Sequence, residues 1–144
     1  MRLQLLALLA AVAGLGVSIY LTAVHFAGVQ PACPVNAAIN CEQVLSSSYG
    51  VVAGSSVPTS AAGILWFAVS AALAAVVLLS HSAPLWSRLQ LAWSAVGLVT
   101  VVFLVYLEIV RLGAVCVWCS VAHALVLLIF LVALPRQRES RVDA

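Results

Sequence analysis

Four cysteines are the residues of this chain whose types and spacing could do chemistry. Cys116 and Cys119 form a Cys-x-x-Cys pair, while Cys33 and Cys41 lie eight positions apart in an earlier segment. Helical residues three apart share a face, with Cβ atoms about 5–6 Å apart, so the first pair can open and close as a disulfide. A helix N-terminus also lowers the pKa of a thiol. The arrangement therefore predicts thiol–disulfide exchange.

The Cys33 and Cys41 pair requires a bend in the chain. In a continuous helix these residues would be about 12 Å apart along the axis, too far to bond, and Pro34 makes a bend plausible. Two resting patterns fit the spacing: Cys33–Cys41 with Cys116–Cys119, or Cys41–Cys116 with two free thiols. A structural disulfide, inert thiols and a four-cysteine zinc site are alternatives, although the eight-residue spacing is unlike a zinc knuckle, so we expect no metal.

The elements that must position these residues are apolar. The 144-residue chain is 65% hydrophobic and 7% charged, against about half and a quarter in ordinary soluble domains. Residues 3–26, 58–79, 89–110 and 115–134 are long enough to cross about 30 Å of hydrocarbon, and the first run exceeds the apolar core of a signal peptide. We predict an all-α membrane protein: one domain over residues 1–144, a bundle of four transmembrane helices, and an outer-face loop at residues 27–57 that contains a short helix.

Arginines predict the orientation of the four helices. The loop at residues 27–57 has none, and Arg111 is the one arginine near the same side. The opposite side has the others: Arg2, Arg88, Arg136, Arg138 and Arg141. By the positive-inside rule both termini are cytoplasmic, and all four cysteines reach the outer face, where disulfides persist. The formal charge of +2, from six arginines and four acids, does not indicate a nucleic-acid-binding protein.

The electron acceptor is predicted from location. Cys119 faces into the bundle, no Gly-rich phosphate loop is present, and an apolar pocket between helices suits a lipid-soluble carrier, so a membrane quinone (ubiquinone or menaquinone) is expected. His123 shares a helical face with Cys116 and Cys119 and could donate to a quinone carbonyl or relay a proton, or simply bond to a neighbouring helix. Trp118 could wall the quinone site. Glu108 and Arg111 are expected to form an ion pair at the outer end of the third helix; alternatively Arg111 lowers the pKa of Cys116.

The order and spacing of these features resembles the vitamin K epoxide reductase family of the bacterial kind, over essentially the whole chain. The features are Cys33 and Cys41 separated by seven residues, "CEQVLSSSYG" after them, a Pro-Thr-Ser helix start with Gly63, and "CVWC" opening the last span. The resemblance implies a four-helix bundle around a quinone pocket, capped on the outer side by the loop and a short half-helix.

The family resemblance also implies roles for individual residues. Electrons pass from a thioredoxin-like protein to the loop pair, then to Cys-x-x-Cys, then to quinone. Cys33 is the cysteine exposed to the partner, Cys41 shuttles by forming a disulfide with Cys116, and Cys119 faces the quinone. Ser47 matches the family serine in the half-helix beside the active site.

Two departures from the family pattern concern the quinone site. The animal enzymes bind the quinone oxygen with an Asn at the start of the second span, where Thr59 or a neighbour stands here, and a common Tyr is replaced by His123. Both favour plain quinone reduction with disulfide formation over epoxide reduction. We expect a membrane thiol oxidase with a separate exported thioredoxin-like partner of the DsbA type, since the chain ends at Ala144 without a fused thioredoxin-like domain. The alternatives are a vitamin K epoxide or quinone reductase and a non-enzymatic membrane scaffold with structural disulfides.

Overall fold

The described part of the protein folds as four long helices with a small capping segment. The computed structural model describes residues 2–34, 36, 38–52, 54–80 and 84–142, with side chains described as far as Pro135. The helices are α1 (Arg2–Ala27), α2 (Cys41–Leu45), α3 (Thr59–Leu79), α4 (Pro84–Tyr106) and α5 (Val117–Val142), and a π-helical segment, Leu107–Leu112, continues α4. Within these residues, four stretches are long and apolar enough to cross a membrane: Arg2–Ala27, Thr59–Leu79, Pro84–Leu112 and Val117–Pro135. The predicted all-α, four-helix membrane fold with a short helix between the first two spans is confirmed.

Two helix boundaries differ from the prediction. The third span begins at Pro84 rather than at residue 89, because proline lacks a backbone N–H and fits the first position of a helix. The last helix continues through Pro135 to Val142, since proline removes one donor from a helix without having to end it. Residues 81–83, between the second and third spans, lie outside the described residues, as do the side chains of Arg136, Arg138 and Arg141.

Close packing of α1 against α3 depends on small residues. Gly14 is buried on α1, and a Cβ there would collide with the ring of Phe67, which is 3% exposed. Gly63 of α3 lies close to the hydroxyl of Ser18. Lipid supplies no hydrophobic force between helices, so close van der Waals contact of this kind must hold them together.

Aromatic and polar contacts join α3 to α4. The rings of Trp66 and Trp93 stack with centroids 6.3 Å apart, and Trp93 Nε1 donates to the Ser70 hydroxyl at 3.2 Å. Gly97 on α4 leaves room for the Trp66 ring. Large side chains thus pack against glycine where α3 meets α4, and a cavity remains towards the end of the bundle that holds Cys119.

Replacing Gly14 with Ala should destabilise the bundle. The added methyl group must displace the buried Phe67 ring, an overpacking cost of about 1–3 kcal/mol, partly offset by the roughly 0.5–1 kcal/mol that Ala gains over Gly in a helix. Gly16→Ala is the matched control, because nothing lies within 4 Å of its added Cβ. Thermal unfolding in detergent should give a lower midpoint for Gly14→Ala only. Equal midpoints for the two variants would contradict this packing.

Candidate active site

A disulfide joins Cys33 to Cys41 across a bend in the first loop. Their Cα atoms are 6.2 Å apart, so the segment bends as the spacing requires. The bend is built by Asn36, whose Oδ1 accepts the N–H groups of Ala38 and Ile39, each at 2.9 Å. Asn36 is a signal for this bend in the sequence, because Asn side chains commonly accept backbone N–H groups a few residues ahead, whereas the bend was predicted from Pro34.

Backbone pairing fixes the half-helix α2 against the start of α5. Ile39 and Val115 form a parallel bridge, in which Val115 N–H donates to Ala38 O at 2.9 Å and Asn40 N–H donates to Val115 O at 3.1 Å. The Asn40 side chain also accepts from Gln43 N–H at 3.0 Å, which caps α2. The pairing places Cys41 next to the start of α5 and Cys116 next to α2.

The two buried cysteines belong to one packed cluster. Cys41 and Cys116 are both 0% exposed and share this cluster with Val44 and Ala114. Cys33 is only partly buried. Cys33 is thus more accessible than Cys41, which lies beside the start of the Cys-x-x-Cys helix.

Cys116 and Cys119 are free thiols in this structure. Cys116 directly precedes α5, and its sulfur accepts the backbone N–H of Cys119 at 3.3 Å. The structure thus has the loop pair (Cys33 and Cys41) bonded and the helix pair (Cys116 and Cys119) free, and it shares the Cys33–Cys41 bond with the first of the two patterns that fit the spacing. The spacing limits which cysteines can bond to each other, but it does not determine which of the possible disulfides are formed.

The surroundings of Cys116 favour its thiolate. A hydrogen bond with the Cys119 side chain is the main reason that the pKa of the Cys116 thiol is lowered, and the backbone N–H groups of Cys119 and Trp118 act in the same direction. Burial and the carboxylate of Glu108 oppose this shift. Arg111 is not among the groups that shift the pKa of Cys116.

The predicted ion pair between Glu108 and Arg111 is wrong. Glu108 is 6% exposed and its carboxylate accepts the Cys116 N–H at 3.4 Å, whereas Arg111 is exposed. Both residues lie in the π-helical segment, whose wider turns remove the shared face that residues three apart have in an α-helix. The sequence does contain a signal that Glu108 is unusual. It is an acid within an apolar span, where an ionisable side chain is costly and usually has a function.

The larger cavity lies between the long helices and has a volume of about 290 Å³. Apolar and aromatic side chains, including Trp66 and Phe67, form most of its lining. Thr59, Cys119 and His123 contribute polar groups to its wall. Its size is close to the lower end of the range for small-molecule sites, about 300 Å³, and its composition is typical of them, so an apolar ring with polar oxygens fits these residues.

A smaller cavity of about 60 Å³ adjoins the larger one. Five residues line both cavities: Leu45, Thr59, Leu104, Cys119 and His123. Glu108 and Ser47 line only the smaller one. Ser47 lies just beyond the end of α2 rather than within it, and its hydroxyl donates to Val44 O at 2.7 Å.

Trp118 lies on the loop side of the Cys-x-x-Cys pair. Its Nε1 donates to Ala32 O at 2.8 Å, and its ring lies 5.0 Å from that of Tyr20, whose hydroxyl accepts Ala32 N–H at 3.0 Å. Trp118 is not among the residues that line the larger cavity. It fastens the loop beside Cys33, and its predicted part in walling the quinone site stays a prediction.

A sequence model of the vitamin K epoxide reductase family matches residues 5–134. The chain belongs to this family. The resemblance found from the sequence is therefore confirmed, and no curated protein matches the chain. Family membership makes the protein an oxidoreductase, and enzymes of the family use quinones. Together with the cysteine pairs, it indicates a membrane thiol–disulfide oxidoreductase.

Replacing Cys119 with Ala should raise the pKa of Cys116, because it removes the side-chain hydrogen bond that does most to lower that pKa. The thiolate will then form at higher pH than in the wild type. Thiolate absorbance in the ultraviolet, followed against pH with the loop disulfide intact, measures the midpoint. Cys119→Ser is the matched control, since its hydroxyl can still donate. An unchanged midpoint in Cys119→Ala would mean that the bond to Cys119 does not control Cys116.

Proposed function

We propose that this protein is a membrane thiol oxidase that draws electrons from a separate exported thioredoxin-like dithiol protein and delivers them to a membrane quinone, thereby promoting disulfide formation. One observation carries the proposal. The bonded loop pair and the free helix pair meet in one buried cluster, and Cys119 lies in the wall of the apolar cavity. Cys119 thus belongs both to the group of packed cysteines and to the wall of the apolar cavity.

Electrons enter at the loop pair in this proposal. A partner thiolate attacks the more accessible Cys33, which releases the Cys41 thiolate, and the second partner thiol then completes the partner's disulfide. The Cys41 thiolate attacks Cys116 when Cys116 is bonded to Cys119, and Cys33 then attacks Cys41. The loop disulfide re-forms and the helix pair holds two electrons as thiols, which is the arrangement described above. Each step exchanges one S–S bond for another through a mixed disulfide.

Electrons leave at the cavity side of Cys119. Quinone, when bound, accepts two electrons and two protons. Cys119 and His123 stand in the cavity wall, where the thiol can face the ring and the imidazole can hold a proton for a ring oxygen. Thr59 lies in the same wall, and its hydroxyl donates to Tyr49 O at 3.2 Å. The apolar lining excludes water from the site.

The proposed sidedness puts both termini in the cytoplasm and the cysteines on the outer face. It rests on the arginine distribution, with five arginines flanking one side and Arg111 the other, together with four helices of transmembrane length. An even number of spans brings the loop and the start of α5 to the same face. An exported partner is then the one able to reach Cys33.

Quinone reduction is the direct test. Protein in lipid vesicles, given a reduced thioredoxin-like protein and a soluble quinone analogue, should turn over, and Cys119→Ala should abolish turnover because the helix pair can no longer form a disulfide. Val121→Ala, an exposed position on the same helix, is the control and should retain activity. Consumption of a quinone epoxide instead would favour the epoxide reductase alternative. A folded wild type inactive with several dithiol proteins would favour a structural role for the disulfide.

Trapping should identify the cysteine that meets the partner. A partner in which the resolving cysteine is replaced by Ser cannot complete its own disulfide, so it should accumulate as a mixed disulfide on Cys33. Peptide mass spectrometry under non-reducing conditions locates the linkage. A linkage on Cys41 or Cys116 would contradict the proposed route, because both side chains are fully buried.

A further inference from the structure

Glu108 is a buried acid that the proposed relay leaves without a role. Its backbone carbonyl accepts the N–H groups of Gly113 and Ala114, and its carboxylate accepts the Cys116 N–H at 3.4 Å. Gly113 has φ of +61°, the left-handed conformation that ends the π-helical segment. The chain therefore turns around Glu108, and holds its carboxylate at the start of the Cys-x-x-Cys helix.

The environment of Glu108 makes a purely structural role costly. The side chain is 6% exposed, and within the part of the chain whose side chains are described it has no cationic partner. A hydrogen-bonding side chain such as Gln could accept the same N–H without the cost of burying an ionisable group. Acids buried without an ion pair near reacting groups are candidates for proton transfer.

The cavities connect Glu108 with the quinone side of the site. Glu108, Cys119 and His123 line the smaller cavity, and Cys119 and His123 also line the larger one. The smaller volume of about 60 Å³ exceeds the roughly 10–15 Å³ that a water molecule occupies by this measure. Its wall also offers the hydroxyls of Ser47 and Thr59. A chain of water and side chains can therefore join the carboxylate to the imidazole.

We propose that Glu108 is the proton carrier of the dithiol-to-quinone step, taking a proton that the helix pair releases as its disulfide forms and passing a proton through the smaller cavity to His123. This inference rests on the proposed function. In the overall step both S–H bonds break, the Cys116–Cys119 S–S bond forms, and two electrons and two protons leave the thiols for the two quinone oxygens. Glu108 conducts one of these protons: it gains the proton when the helix pair is oxidised and gives it up when quinone is reduced.

Infrared difference spectroscopy tests proton exchange without quinone. The reduced helix pair is oxidised with a soluble disulfide oxidant, and the spectra of the two states are subtracted. A carboxylic-acid C=O band that shifts in D₂O should appear, disappear in Glu108→Gln and persist in Glu42→Gln. Glu42 is the matched control, because it is an exposed acid bonded to Gln30 at 2.7 Å, away from the cavities. Absence of the band in wild type, or its persistence in Glu108→Gln, overturns the proposal.

Single-turnover kinetics tests the same role during quinone reduction. Starting from the reduced helix pair, Glu108→Gln should slow oxidation by quinone about 100-fold, the lower end of typical general acid–base contributions, and change its solvent isotope effect. Trapping of a partner on Cys33 should keep its wild-type rate, and Glu108→Asp should recover part of the loss. Wild-type oxidation rates in Glu108→Gln overturn the proposal.

The two tests separate the failure of this inference from failure of the proposed function. A wild type that never reduces quinone removes the proposed function, while the infrared band still decides whether Glu108 exchanges a proton with the helix pair. Active wild type with unaffected Glu108 variants removes only the inference. If Glu108→Gln does not fold, Glu108→Asp takes its place in the infrared test, where the band must move in frequency; an unmoved band overturns the proposal.

Discussion

The pairing of the first loop with the start of α5 is the constraint on which the rest of the site depends. Two backbone hydrogen bonds, from Val115 N–H to Ala38 O and from Asn40 N–H to Val115 O, join segments more than 70 residues apart. Gln43 adds a bond from its side-chain amide to Leu112 O at 3.0 Å. Because Cys41 and Cys116 directly follow the paired residues, this small bridge determines that two distant cysteines share one buried cluster.

The bundle beneath the bridge is packed so that a cavity remains beside the cysteines. Glycines at 14, 63 and 97 let large side chains or neighbouring helices approach closely, which compensates for the absence of a hydrophobic force between helices in lipid. The same packing directs Trp66 and Phe67 to the cavity wall. Stability and pocket shape are consequently properties of the same contacts, since filling a glycine position would move the rings that line the cavity.

The polar groups at the cysteine end of the bundle lie around the sulfur atoms of Cys116 and Cys119. Cys119, through its side chain and backbone N–H, stabilises the Cys116 thiolate, while Glu108 holds the Cys116 N–H. His123 stands where both cavities meet. Thiols and acid–base side chains therefore lie close together at this site, which would suit the proposed transfer of both electrons and protons to one acceptor.

Much of the fold and the family follow from the sequence alone. Apolar run lengths determine four spans, the arginines favour an orientation, and the cysteine pairs with their flanking motifs identify the family, because each signal is local or depends on composition. What only the tertiary structure decided is how distant or irregular segments meet. The bridge to Val115, the loop-side position of Trp118 and the burial of Glu108 depend on contacts between elements. A helical spacing rule paired Glu108 with Arg111, and the rule failed because the π-helical segment changes which residues share a face.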